Sequence, residues 1–303
     1  MKLHDNKELL LEIMKNTSEY FGINYALVEK DYYITLLLEK LVERIDGLLF
    51  KGGTCLAKCY KIIDRFSEDI DLTLDYLHFT QSKKREANKR VIEVCDELGF
   101  TILNRESVEK HSHGNYNCYN IAYPIDAPNV NILPFIKIEM VFIQKAYPDD
   151  LQSANSYIGE YILSSENKEL AEEYGLLPFK INTQALERTL VDKVFAICDY
   201  YLKKEEIRNS RHVYDIYCLL KKVKLNDDLK TLIKSVREDR QKHDSCPSSF
   251  DGVNINSLLQ EIIDTSFYKF DYHTSTIQLL IKPISYETAI TSINEIIESK
   301  VFI

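Results

Sequence analysis

The chain has 303 residues, of which 45% are hydrophobic and 28% charged, and its formal net charge is -9 at pH 7. This length allows one large domain or two of ordinary size, while the acidic balance argues against a general nucleic-acid coat protein. No apolar run approaches the roughly 20 residues of a membrane-spanning helix, so we expect no membrane partner. The seven cysteines include no CxxC pair, which favours a reducing, cytoplasmic location over a disulfide framework or a zinc site.

Hydrophobic periodicity predicts a mixed α/β part in the first half of the chain. Three-four spacing predicts helices over residues 9–20, 26–42, 54–63 and 82–98. Alternating or short apolar runs predict strands over residues 48–51, 66–74, 100–104, 116–123 and 135–143. In the last of these strands, alternation places Lys137 and Glu139 on the same face, opposite an apolar face.

The second half of the chain is predicted to be helical. The stretch 145–180 shows weak periodicity and is interpreted as irregular, with a loop or short helices. Three-four spacing then predicts helices over residues 186–203, 210–222, 227–240, 255–263 and 285–297. The predicted organisation is therefore a mixed α/β domain at residues 1–165 and a helical bundle domain at residues 180–303.

Charge is distributed unevenly between these parts. The segment 183–245 carries 14 Lys and Arg residues against 11 Asp and Glu residues, although the whole chain is acidic. A mildly basic segment of this kind is typical of a local groove for a polyanion. A solvated helix surface is an equally good explanation of the charge alone.

The segment 51–72, KGGTCLAKCYKIIDRFSEDIDL, carries the strongest chemical signal. Gly52, Gly53 and Thr54 form a turn before a predicted helix, where a phosphate can approach the backbone and bind free N–H groups. Thr54 can cap that helix and also bond a phosphate oxygen. The turn alone is a weak signal, and it is not a Walker loop, because the GxxxxGK[ST] pattern is missing.

Asp69 and Asp71 alternate with apolar residues on the predicted strand, so both carboxylates face the same way. Like charges on one face need a cation between them, which favours a Mg²⁺–nucleotide site. Pairing of an exposed strand with Arg65 or Lys61 is the alternative. Glu139 is the third acidic candidate, as a metal ligand or an aid to deprotonation of an attacking hydroxyl, unless it is simply exposed.

Charged residues also interrupt the apolar helices of the second half. Arg188, Asp192 and Lys193 share one predicted helix, and Arg211 and Asp215 lie one turn apart on the next. Lys193 can hold a triphosphate as a mobile cation, and Asp215 can orient Lys193 or bind an acceptor. Taken without further knowledge, structural salt bridges are the favoured explanation of these residues.

At these residues the chain resembles the AbiEii/AbiGii-type toxin family of nucleotidyltransferases, once catalogued as a domain of unknown function. The resemblance runs through four ordered motifs: VEKDYYITLLLEKL near residue 30, FKGGTCLAKCYKIIDRFSEDIDLTL, LVDKVFAI and RHVYDIYCL. It implies an α+β fold, in which a polymerase-β-like nucleotidyltransferase domain with a mixed sheet and flanking helices is followed by a C-terminal helical bundle. It also implies Mg²⁺-dependent transfer of a nucleotide from an NTP to an acceptor hydroxyl.

The resemblance implies nucleotide-binding roles within the signature motif. Gly52, Gly53 and Thr54 would hold the phosphates of the NTP. Lys51 and Ser67 belong to the same motif and are further candidates for nucleotide binding.

The resemblance also implies a catalytic set. Asp69 and Asp71 would bind two Mg²⁺ ions, for which Mn²⁺ is an alternative, and Glu139 occupies the usual place of the third carboxylate. Lys193 and Asp215 are similar to the essential lysine and aspartate of the family, and Lys193 would also bind the nucleotide. Acceptor contact or structural support is expected of four more residues: Arg65, Arg188, Asp192 and Arg211.

Some members of the family are toxins that modify the acceptor end of transfer RNA and are countered by an antitoxin. The resemblance therefore implies an RNA acceptor, the 3′ end of a tRNA, and a cognate antitoxin. Two alternatives stay open. One is a protein NMP-transferase that adenylylates Ser or Tyr, and the other is a non-catalytic module that binds nucleotide or RNA.

Overall fold

The structure is a computed structural model that describes residues 2–75, 77–110, 115–126, 132–143 and 146–302. The chain divides into two compact units. The first unit comprises Met1–Tyr60, Glu68–Phe142 and Asp149–Thr183, and the second comprises Lys61–Ser67, Ile143–Pro148 and Gln184–Ile303. The first unit thus continues past residue 165, where the first predicted domain ends. Two short segments that precede residue 165, Lys61–Ser67 and Ile143–Pro148, belong to the second unit.

Helices and strands alternate along the first unit. Its helices are α1 (Lys7–Phe21), α2 (Tyr25–Arg44), α3 (Gly52–Lys58), α4 (Gln81–Glu97), α5 (Arg105–Lys110), α6 (Tyr157–Ser164) and α7 (Lys168–Tyr174). Its strands are β1 (Leu48–Lys51), β2 (Asp69–Leu74), β3 (Thr101–Ile102), β4 (Tyr116–Ala122), β5 (Ile136–Val141), β6 (Asp149–Ala154) and β7 (Phe179–Gln184). Asparagine side chains fix where the first two helices begin, because Asn6 and Asn24 accept hydrogen bonds from N–H groups of the first turn.

The strands form a mixed sheet, which has seven members in the described residues, in the order β3-β4-β5-β2-β1-β7-β6. β1 is antiparallel to β2, and β4 is antiparallel to both β3 and β5. β2 runs parallel to β5, and β1 runs parallel to β7. The acidic strand β2 therefore lies inside the sheet, with the glycine turn at the end of one neighbour and Glu139 on the other.

The apolar face of β2 and β5 fixes which side chains reach the opposite face. Ile70, Leu72, Ile138 and Met140 are all 0% exposed and belong to the hydrophobic core. Burial of each such side chain stabilises the fold by about 1.5–3 kcal/mol. A slip of one residue in register would move the acidic residues into this core, so the register of β2 is strongly specified.

The prediction of an irregular stretch with a loop or short helices at residues 145–180 is confirmed for two short helices, but it is wrong in that it missed two strands. This part of the chain forms β6, α6, α7 and β7. β6 lies at an edge of the sheet, and its sequence DDLQSA is mostly exposed, so it lacks the alternation of a half-buried strand. The two helices have 8 and 7 residues, which is too short for a clear three-four repeat.

Several predicted boundaries also differ from the structure, including those of the helix and the strand in the segment 51–72. The helix expected over residues 54–63 begins at Gly52 and ends at Lys58. It cannot continue through Lys61, whose φ of 54° lies in the left-handed region. The acidic strand begins at Asp69 rather than at residue 66.

Helices dominate the second unit, as the sequence predicts. They are α8 (Leu186–Lys203), α9 (Arg211–Leu220), α10 (Asp227–Arg240), α11 (Ile255–Asp264), α12 (Lys269–Asp271), α13 (Ile277–Leu279) and α14 (Tyr286–Ser299). α9 packs against α8 and α14, and it buries Val213, Ile216 and Leu219 completely. Nowhere in the described ranges does a helix combine the length and the apolar character needed to cross a bilayer.

Candidate active site

The turn between β1 and α3 lies directly against the acidic strand. Lys51 ends β1, and Gly52 begins α3 with a φ of +78°, a conformation that favours glycine. A Cβ atom on Gly52 would stand 1.9 Å from Oδ2 of Asp71. The carboxylate of Asp71 therefore occupies the space that any larger residue at position 52 would need.

Gly53 and Thr54 are buried in the first turn of α3. The expectation that Thr54 caps this helix is wrong, because Lys51 is the residue at the cap position. The hydroxyl of Thr54 instead donates a hydrogen bond to the backbone carbonyl of Asp69. This contact ties the glycine turn to the start of β2.

The three predicted carboxylates lie on one face of the sheet. Asp71 and Glu139 are register partners on β2 and β5, and Asp69 is the register partner of Lys137. Register partners on neighbouring strands point to the same face. The structure therefore brings together Asp69, Asp71 and Glu139, and it adds Lys137, which the sequence reasoning left without a role.

Glu139 is held by two donors on the same face. The ammonium of Lys137 forms an ion pair with Oε1, and the hydroxyl of Tyr116 donates to Oε1 at 3.1 Å. Burial alone raises the pKa of Glu139, but the ion pair with Lys137 and the hydrogen bond from Tyr116 bring the pKa below its usual value. Glu139 is therefore ionised at neutral pH. Correspondingly, burial lowers the pKa of Lys137, but the bond to Glu139 raises it overall.

Asp69 presents an oxygen that suits a cation. Its Oδ1 is buried and has no hydrogen-bond partner among the described residues. Such an oxygen beside another carboxylate is unfavourable unless a cation lies nearby. Mg²⁺ is commonly bound by one or two carboxylates together with substrate phosphates and water. Asp69 and Asp71 therefore fit a divalent ion that is completed by substrate.

Glu139 does not complete this pair in the present arrangement. In the part of the chain that the structure describes, no group of three or more His, Cys, Asp or Glu side chains is placed to hold a metal ion by itself. Glu139 instead contacts Lys137 and Tyr116.

The sequence reasoning also left Lys30 of the VEKDYY motif without a role. Its side chain is 0% exposed and donates to Oε2 of Glu68 at 2.5 Å and to the carbonyl oxygen of Leu133 at 2.9 Å. Burial lowers the pKa of Lys30, and the charges of Glu68 and Asp69 oppose that effect. The signal in the sequence was a run of charges inside an otherwise apolar helix.

In the second unit, Asp215 accepts hydrogen bonds from two buried cations. Arg65 forms a bidentate pair with it, with Nε–Oδ1 and Nη2–Oδ2 distances of 2.7 and 2.8 Å. The ammonium of Lys193 lies 2.6 Å from Oδ2, so Asp215 orients Lys193. The alternative pairing of Arg65 with the acidic strand is wrong, because its Nε and Nη2 donors are used by Asp215.

Positive charge exceeds negative charge around Asp215. Burial raises the pKa of this carboxyl, but Arg65 and Lys193 lower it well below the usual range. Burial lowers the pKa of Lys193; Asp215 opposes this effect, whereas Arg65 and Arg211 add to it. The Nε of Arg211 is buried and has no hydrogen-bond partner among the described residues.

The remaining predicted residues of the second unit are placed as follows. Arg188 and Asp192 form an ion pair at 3.1 Å, and Gln184 donates to Asp192 at 3.0 Å. Arg188 also donates to the carbonyl oxygen of Tyr147 at 3.0 Å. Ser67 belongs to the second unit, whereas residues 51–54 belong to the first. Arg188 and Asp192 are thus bonded to each other and to neighbouring groups of the same unit.

Comparison with known proteins gives two findings. The family described as nucleotidyl transferase AbiEii toxin, type IV toxin–antitoxin system, matches residues 36–289. Among solved structures, the chain is similar to MenT4, a nucleotidyltransferase toxin from Mycobacterium tuberculosis H37Rv, with 14% sequence identity, coverage of 94% of this chain and 88% of that chain, and a TM-score of 0.55. No curated protein matches the chain. The structural likeness confirms the expected α+β nucleotidyltransferase fold.

Substitution of Gly52 by alanine should cost more stability than the same change at a comparable glycine. Gly99 has a φ of +70°, and a Cβ there meets nothing within 4 Å among the described residues. Gly99→Ala should therefore cost only the backbone strain of about 1–2 kcal/mol. Gly52→Ala adds the clash with Asp71, so its free energy of unfolding in urea should fall further. Equal losses in the two variants would show that Asp71 does not press on the turn.

Asp215→Asn should destabilise the protein by about 3–5 kcal/mol in urea unfolding at pH 7, because it leaves two buried cations without their carboxylate. Asp239→Asn is the control, since the pair of Asp239 with Lys242 is partly exposed and is worth at most about 1 kcal/mol.

The same variant should also change the dependence of stability on pH. The pKa of Asp215 is depressed in the folded state, so its contribution is complete above the unfolded value of about 3.9 and is lost as the pH falls below it. The difference between wild type and Asp215→Asn should thus be constant above about pH 5 and shrink below about pH 4. A difference that grows in acid would contradict the assignment.

Proposed function

The chain belongs to the AbiEii family of nucleotidyltransferase toxins of type IV toxin–antitoxin systems, and we propose that it transfers a nucleotide from an NTP to a hydroxyl at the 3′ end of a tRNA. Family membership carries with it a nucleotide substrate and a cognate antitoxin. The proposal adds the acceptor, the metal and the residues that act.

One observation carries the proposal for the site. Asp69, Asp71 and Glu139 lie on a single sheet face, and Asp71 touches the glycine turn at Gly52. A sheet exposes three carboxylates side by side only where something else compensates their repulsion. The turn lets a phosphate approach the backbone beside them. A nucleotide triphosphate with its divalent ions satisfies both requirements.

In the proposed reaction, Asp69 and Asp71 would hold two Mg²⁺ ions, for which Mn²⁺ is an alternative. When bound, the metal supplies positive charge for the phosphate oxygens. Glu139, ionised at neutral pH, or one of the aspartates accepts the proton of the acceptor hydroxyl. The hydroxyl oxygen forms a bond to the α-phosphorus, the bond from that phosphorus to the bridging oxygen breaks, and pyrophosphate leaves.

Lys51, Gly52, Gly53 and Thr54, together with Ser67 and Lys193, are the proposed nucleotide-binding residues. Lys193 suits phosphate because the charges around it favour an anion. Among the residues that the structure describes, Asp215 is the one carboxylate bonded to both Lys193 and Arg65, so the group has an excess of positive charge. Asp215 and Arg65 then act by positioning Lys193.

The choice of RNA as acceptor rests on charge. The segment 183–245 has a basic balance in an acidic chain, and several of its lysines are exposed: Lys203, Lys204, Lys221, Lys222, Lys224, Lys230 and Lys234. Exposed lysines bind phosphate backbones through release of counterions. We therefore propose that the second unit binds the acceptor RNA.

The decisive experiment measures transfer of label from each α-³²P-NTP to total cellular RNA and protein in the presence of Mg²⁺. Wild type should label RNA of tRNA size. Asp69→Asn and Asp71→Asn should each reduce transfer at least about a hundredfold, because several kcal/mol of charge stabilisation depend on them. Both variants should keep wild-type stability, since removal of like charge relieves repulsion on the strand.

Asp126→Asn is the matched control. Asp126 is a carboxylate of the same unit that pairs with the exposed Lys7 at 2.6 Å, so its variant should transfer as wild type does. If the label appears on protein and not on RNA, the proposed RNA acceptor is wrong and the acceptor is a protein. Unchanged transfer by both aspartate variants would refute the proposed site.

Lys193→Met should impair transfer more than stability. Methionine keeps an apolar stem of similar length, and Asp215 retains its bidentate pair with Arg65, so the free energy of unfolding should change by no more than about 1 kcal/mol. Transfer should fall at least about tenfold, with a raised KM for the NTP. If the variant instead unfolds with transfer per folded molecule unchanged, Lys193 serves only the salt bridge.

A further inference from the structure

Lys137 occupies an unusual place for a basic residue. It lies two positions before Glu139 on β5, and its ammonium forms an ion pair with Oε1 of that glutamate. The side chains of Lys137 and Glu139 are 30% and 21% exposed, so the pair is only partly screened by water. A pair in this setting is stronger than a fully exposed one.

The same ammonium also faces the acidic strand. Lys137 is the register partner of Asp69, while Glu139 is the register partner of Asp71. The four side chains thus form two adjacent rows with three negative charges and one positive charge. Lys137 therefore provides the cation nearest to Glu139 in a cluster that needs more positive charge.

A divalent ion and an ammonium cannot both bind the same carboxylate oxygen without repulsion. Glu139 is bound by Lys137, and the three carboxylates are not placed as a three-ligand group in this structure. Tyr116 gives Glu139 a second contact, from its hydroxyl at 3.1 Å, which is independent of Lys137. The hydrogen bond from Tyr116 would therefore still hold Glu139 if its ion pair with Lys137 were broken.

We propose that Lys137 competes with the divalent ion for Glu139, so that Glu139 becomes a metal ligand only when Lys137 releases it. Lys137 is then a positioning residue that sets metal affinity. This inference rests on the proposed function, because it takes Asp69 and Asp71 as the primary ligands. It predicts that a protein that lacks this ammonium binds the divalent ion more tightly.

The test is a titration of the full chain with Mn²⁺, followed by electron paramagnetic resonance of the free ion, and with Mg²⁺, followed by calorimetry. Lys137→Met should tighten the Kd about three- to tenfold, as expected for loss of a partly buried competing ion pair. Lys137→Arg keeps the charge and should retain the wild-type Kd. Lys137→Gln serves as a second neutral variant, and thermal unfolding confirms that each variant is folded.

A double-mutant cycle with Glu139→Gln separates competition from a general effect of charge. In the Glu139→Gln background, Lys137→Met should tighten the Kd by less than in wild type. Lys51→Met is the matched control, because Lys51 is the register partner of Asp71 on the other side of β2 and its loss removes the same charge. Its effect should be equal in both backgrounds.

The outcomes distinguish this inference from the proposed function. If Lys137→Met changes the Kd equally in both backgrounds, as Lys51→Met does, competition for Glu139 is refuted while the metal site stands. If wild type binds neither ion, or if Asp69→Asn and Asp71→Asn leave the Kd unchanged, the metal site itself is refuted and the inference falls with it.

Discussion

The register of β2 between β1 and β5 is the constraint on which the candidate site depends. Ile70 and Leu72 are fully buried, and their burial forces the two aspartates between and before them onto the opposite face. The parallel partner β5 then sets Glu139 beside Asp71. Apolar burial on the other face of the same strands thus holds these carboxylates close together despite their repulsion.

Charged side chains of α2 bond to other segments of the first unit. In the VEKDYY motif of α2, Glu29 accepts from the backbone N–H of Asp126 at 2.8 Å, and Asp31 accepts from Lys58 at 2.5 Å and from the backbone N–H of Tyr157 at 2.8 Å. Each charge fixes a different segment to one helix. Such pairs contribute little net stability, but loss of one partner leaves an uncompensated charge, so they specify one arrangement. The charge pattern of this motif is therefore structural at these residues.

The sequence was sufficient for the elements that have one buried face. Alternation placed Asp69 and Asp71 on one face, and three-four spacing located α2, α4 and α8, because burial imposes both patterns. It was insufficient for β6, which lies at the sheet edge and has no apolar face to reveal it. Pairings between distant positions were also hidden: Arg65 and Asp215 are 150 positions apart, and only the fold brings them together.

Asp215 in the second unit and Asp69 in the first differ in how many of their carboxylate oxygens are bonded by other residues. Asp215 accepts three hydrogen bonds from cations at 2.6–2.8 Å and is fully buried, so the protein itself completes its electrostatics. Asp69 keeps a buried oxygen that no described residue bonds. Such an oxygen is unfavourable by itself, and a bound cation would satisfy it. Asp69 therefore fits the proposed metal site, whereas Asp215, whose bonds are complete, fits a role in positioning Lys193.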